Sequence, residues 1–157
     1  MRKILFGILI LASILVAEVT NIPATIDFVK SNKMKIIDIR TESEWKQMGV
    51  IENAYLLTFF DEESKYNIKD FIKKLNKIVK KDEQFAIICN TSSRTKLVSN
   101  LLGNRLGYHV VNLVGGMDKL IKDGYKVTSY PKEKEKATVE SMELNSTTQN
   151  SLKKTPK

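Results

Sequence analysis

Short apolar runs alternate with segments whose apolar residues recur at helical spacing along most of the chain. Residues 35–39 (K-I-I-D-I) and 85–88 (F-A-I-I) are continuous apolar runs of strand length, which predicts buried strands. Residues 109–114 read the same way, and residues 54–57 predict a shorter strand. Between them, residues 68–79 place Ile68, Phe71, Ile72, Leu75, Ile78 and Val79 at helical spacing with lysines on the other face. Residues 95–106 predict a second long helix that stops at Gly107 as a C-cap. Residues 22–31 predict a helix with Pro23 near its start and Ile26 and Val29 on one face. Thr41 is placed to cap a short helix running through Trp45, because Glu44 lies three residues on, as in a capping box. The pair Gly115-Gly116 breaks the chain before a last short helix over 117–122. This order predicts one α/β domain with a mostly parallel sheet and helices on both faces.

The two ends do not share the pattern. Arg2 and Lys3 precede an apolar run over 4–16, and Ala17 is a small residue before the charged Glu18. The run is shorter than the ~20 apolar residues of a comfortable membrane span. A cleaved signal peptide over 1–17 is the first expectation, giving a periplasmic or otherwise exported protein. Leu15 sits where cleavage prefers a small residue, so an uncleaved anchor to the membrane formed by residues 4–17 is the alternative. No cysteine follows the run, which excludes lipid attachment there. Residues 131–157 are dominated by Lys, Glu, Ser, Thr and Asn and cannot bury enough apolar surface to offset ordering, so a disordered polar tail is expected. The domain is therefore expected over 18–130.

Charge adds little. The formal net charge is +8, but residues 18–130 carry 18 Lys or Arg against 14 Asp or Glu, a net +4. No basic stripe is interleaved with aromatics, so no nucleic-acid partner is expected, and a membrane partner only if the N-terminal segment stays in place. Cys89 is the one cysteine and His109 the one histidine, so neither an intramolecular disulfide nor a Cys/His metal site is expected. No cofactor is implied.

The same cysteine is the candidate reactive group. Cys89 ends the predicted strand 85–88, the polar residues Asn90, Thr91, Ser92 and Ser93 follow, and Arg94 opens a helix. Ligands in α/β sheets gather at the carboxyl ends of strands, and a helix start there offers free amide donors. Such an end, with an arginine beside it, is the setting in which a cysteine becomes a nucleophile. These features lead us to expect a sulfur that faces solvent. A plain core thiol is the competing reading, since free cysteine is among the most buried residue types.

The spacing of Cys89 and Arg94, with four residues between them after a hydrophobic strand, resembles the active-site loop of the rhodanese (sulfurtransferase) family. Residues 36–45 (I-I-D-I-R-T-E-S-E-W) resemble the family's early strand and Asp-x-Arg turn, and the segment from Leu106-Gly107-Tyr108 to Gly115-Gly116 resembles its closing strand and glycine pair. The resemblance covers about residues 22–125. It implies a sulfurtransferase in which Cys89 carries a persulfide, the amides of Asn90, Thr91, Ser92, Ser93 and Arg94 cradle it, and Arg94 holds a thiosulfate-like anion or orders the loop. It makes Asp38, Arg40 and Glu44 structural charges that brace neighbouring turns. A solvated charge is an equal reading for Glu44. The partners implied are a small-molecule sulfur donor and a thiol or cyanide acceptor, with a protein acceptor also open. The family often has glycine at the position of Ser92, serine at Thr95, histidine at Val50 and tryptophan at Leu120. A positive φ at Ser92 would strain a serine.

Two other functions compete. A non-catalytic or redox-sensing binding module could use the same scaffold. A phosphatase or arsenate reductase uses a similar loop, but with five residues between cysteine and arginine, and the loop here holds no acidic residue to act as a general acid.

Overall fold

The computed structural model describes residues 19–31 and 33–130. The expected export segment and the polar tail lie outside the described residues. Among those described, no helix is long and apolar enough to cross a membrane. Five strands, β1 (Val19–Pro23), β2 (Ile36–Asp38), β3 (Tyr55–Leu56), β4 (Gln84–Ile88) and β5 (His109–Val114), form one sheet in the order β1-β5-β4-β2-β3. Every pairing within it is parallel. The helices are α1 (Ile26–Ser31), α2 (Glu42–Met48), α3 (Ile68–Ile78), α4 (Ser93–Asn100) and α5 (Gly116–Lys122), and a π-helical turn (Leu101–Arg105) extends α4.

Strand alternation divides the apolar residues between two layers. Phe85, Ile87 and Cys89 point to the face covered by Phe71 and Leu75 of α3 and Val98 of α4. Ala86 and Ile88 point to the opposite face, against Met117 and Leu120 of α5 and Ile26 and Val29 of α1. Each central strand is buried on both sides, which is why its sequence reads as an unbroken apolar run. The expected fold class is therefore the observed one, with a fully parallel sheet.

The start of the domain differs from expectation. Residues 19–23 form an edge strand where the sequence predicted part of a helix from 22. Pro23 closes that strand, where its missing N–H costs no ladder bond, and Ile22 pairs with Leu113. The helix begins only at Ile26, with the Thr25 hydroxyl accepting from Phe28 N at 3.2 Å. An edge strand lying partly in solvent carries no apolar run, so its sequence offered no strand signal. The second difference is the π-helical turn: residues 95–106 are not one regular α-helix. Leu106 N bonds to Leu101 O at 3.0 Å, and Gly107, at φ 72°, ends the helix as expected.

Candidate active site

The loop of interest leaves the carboxyl end of β4. Cys89 is wholly buried, with its Sγ 3.8 Å from Thr95 Oγ1. It does not face solvent as the sequence suggested. The side-chain alternation of β4 carries one residue past its end, so Cys89 takes the next core position on the α4 side and its sulfur sits under the helix start rather than in open space.

The chain then turns sharply. Ser92 adopts φ 76° and ψ 1°, the left-handed region, immediately before α4. Its side chain makes no capping bond to the helix. The first amides of α4 therefore lack the side-chain acceptor that usually occupies them, the condition under which a helix start takes an anion. The Ser92 carbonyl accepts from Lys96 N at 3.0 Å and from the buried Thr95 hydroxyl at 3.1 Å. Thr91 and Ser93 share a hydroxyl contact of 3.4 Å at the exposed tip. Asn90 Oδ1 is buried and has no hydrogen-bond partner among the described residues.

Arg94 is held by a residue fifty positions away. Its Nη1 donates to Glu44 Oε2 at 2.7 Å and its Nη2 to Glu44 Oε1 at 2.5 Å. Glu44 also accepts from Thr41 N at 3.0 Å, and Thr41 Oγ1 accepts from Glu44 N, so the predicted capping box is present. One carboxylate thus ties the start of α2 to the start of α4. Burial alone would raise the Glu44 pKa, but hydrogen bonds from Arg94 and from the Thr41 amide outweigh it and leave the pKa below its ordinary value. Arg94 is shifted upward in turn, chiefly by its hydrogen bonds to Glu44 against the opposing effect of burial, with smaller contributions from the Cys89 side chain.

Asp38 and Arg40 form a second, deeper pair, both wholly buried, with Arg40 Nη2 at 2.7 Å from Asp38 Oδ2. Arg40 Nη2 also donates to Gly49 O at 2.7 Å, which fixes the end of α2 to the end of β2. The Thr58 hydroxyl bonds Arg40 O at 2.8 Å, joining the segment after β3 to the same turn. His109 begins β5 and pairs with Gln84, at the end of the sheet opposite the strand ends that carry the loop. Among the described residues no group of His, Cys, Asp and Glu could hold a metal ion.

One contributor escaped the sequence reading. The amides of Met117 and Asp118 donate to the Cys89 and Asn90 carbonyls, each at 2.9 Å. The N-terminus of α5 therefore clamps the loop from below. Gly116 allows that approach: at φ 62°, a Cβ there would stand 2.4 Å from both carbonyl oxygens. The glycine pair was visible as a break, but nothing local says which backbone it must approach.

A family match and a solved structure agree with this fold. A family model described as a rhodanese-like domain matches residues 25–123. An uncharacterized protein of Rickettsia prowazekii (strain Madrid E) is 26% identical over 108 residues, which span 66% of this chain and 85% of that one. The crystal structure of a rhodanese-like domain protein from Staphylococcus aureus superposes with a TM-score of 0.50 at 27% identity, covering 70% of this chain and 99% of that one. A rhodanese-related protein of Thermoplasma volcanium is 25% identical with a TM-score of 0.47, covering 62% and 85% of the two chains. A family match across most of the described residues, together with the parallel sheet and the loop at the end of β4, shows that this chain belongs to the rhodanese-like domain family.

Proposed function

We propose that this protein is a sulfurtransferase that moves a sulfane sulfur through a persulfide on Cys89. The observation that carries the reading is the placement of Cys89 three residues before the left-handed Ser92 and an uncapped helix start, with Arg94 on that helix. In the first step the Cys89 thiolate attacks the outer sulfur of a thiosulfate-like donor. A new S–S bond forms, the donor's own S–S bond breaks, and sulfite leaves with the electron pair. In the second step cyanide or a thiol takes the outer sulfur, and Cys89 departs as thiolate. The amides following Asn90 would hold the charge on the outer sulfur. Arg94, fixed by Glu44, orders the loop and lends positive charge. Export, or anchoring through residues 4–17, is proposed with this function.

Intact mass after mixing the protein with thiosulfate tests it. A gain of about 32 Da that is absent from Cys89→Ser supports a thiolate nucleophile. An unchanged mass rejects the activity. A non-catalytic or redox-sensing module is the second reading, and the full burial of Cys89 favours its non-catalytic form, since a redox sensor also needs an accessible thiol.

A further inference from the structure

Beside the loop, an apolar groove of about 680 Å³ runs between α4 with its π-helical turn and the segment that follows β3. Its floor includes Phe60, Tyr66, Leu97 and Leu101. Tyr66 is 56% exposed and Leu97 65% exposed, and both line this one groove, so they form part of a shared apolar surface and are not scattered singly. Lys96 and Arg105 border it, and neither forms an ion pair among the described residues. Arg94, Leu97 and Leu101 stand at i, i+3 and i+7, so one stripe leads from the candidate site into the groove. The distance from Arg94 to Leu97 is about one helical turn, roughly 5 Å.

We propose that this groove docks an acidic amphipathic segment of a partner protein, whose cysteine thiolate attacks the outer sulfur of the Cys89 persulfide, so that a new S–S bond forms on the partner and Cys89 leaves as the thiolate. The partner's chemistry follows from the lining. Apolar anchors would fill the floor between Leu97 and Tyr66, and carboxylates would meet Lys96 and Arg105. The role assigned to the partner rests on the sulfurtransferase reading; the docking itself does not.

Two labelled synthetic peptides test the docking by fluorescence anisotropy against the full chain carrying Cys89→Ser. One has leucines at helical spacing separated by glutamates, and the other replaces each glutamate with lysine. The acidic peptide binds, added salt weakens it, and the basic peptide does not bind. Leu97→Ser, which leaves every charge in place, weakens binding roughly tenfold, as loss of a central anchor does. Lys96→Glu with Arg105→Glu weakens it as well. Leu97→Ser in the chain that keeps Cys89 leaves transfer from thiosulfate to cyanide unchanged. Failure of the acidic peptide to bind, or binding that ignores Leu97→Ser, overturns the proposal. So does self-association of the protein that Leu97→Ser abolishes, because the occupant is then a second copy. Peptide binding without the thiosulfate mass gain would leave the groove standing and remove only the sulfurtransferase reading.

Discussion

At the scale of single residues the site holds two tensions. Ser92 occupies a left-handed conformation that suits glycine, without a side-chain bond to compensate. Ser92→Gly therefore stabilises the protein by about 1 kcal/mol, which thermal unfolding registers as a rise of a few degrees. The second tension is the buried sulfur, which must be reached before it can react. Iodoacetamide is expected to label Cys89 in the native protein more slowly than free cysteine, and Glu44→Gln to quicken the reaction by loosening Arg94 over the loop. Labelling that occurs only on global unfolding, in both proteins, would leave a core thiol and no enzyme. The Glu44–Arg94 pair also has a pH signature. The folded Glu44 pKa lies below its ordinary value of 4.5, so the unfolded chain binds the proton more readily. Its contribution, about 1 kcal/mol for a partly exposed pair, is complete above that ordinary value and fades as pH falls through the lower folded one. Melting curves across this acid range should fall less steeply for Glu44→Gln than for the parent chain.

At the scale of elements, what could be read from sequence was what neighbouring residues determine. The runs that became β2, β4 and β5 are apolar because both faces of each strand are covered. The capping box needs only Thr41 and Glu44, three apart, and it formed. The loop from Cys89 to Arg94 was likewise visible as a polar stretch between a strand and a helix. What was not visible depends on partners far along the chain. β1 is a strand because β5 lies beside it, and Glu44 finds Arg94 only once α2 and α4 are packed. The burial of Cys89 depends on how α4 settles over the end of β4. The clamp made by α5 belongs to the same class. Gly116→Ala would drive a methyl group into the Cys89 and Asn90 carbonyls at a positive φ, so it should destabilise the domain by about 2 kcal/mol or more, with the larger effect on the reactivity of Cys89. Denaturant unfolding and the labelling rate measure the two effects separately.

At the scale of the whole molecule, the last described residues fasten the outside of the domain. Thr128 bridges Val50, and the Tyr130 ring stacks on Trp45 with centroids 5.8 Å apart. A chain ended after Tyr130 should melt within about a degree of the full chain, whereas one ended after Val127 should lose several degrees. Calorimetry on the two truncations checks both statements. The order of strands has a consequence of another kind. The first strand, β1, finds its only partner among the named strands in β5, the last, so the sheet joins the two ends of the domain. A ribosome makes Val19 long before Val114, and until the later residue emerges β1 has nothing to pair with. Contacts of such sequence separation form slowly. The domain therefore stays open through most of its synthesis, and nascent chains stalled before Val114 has emerged should be cut readily by protease, while chains stalled well beyond it resist.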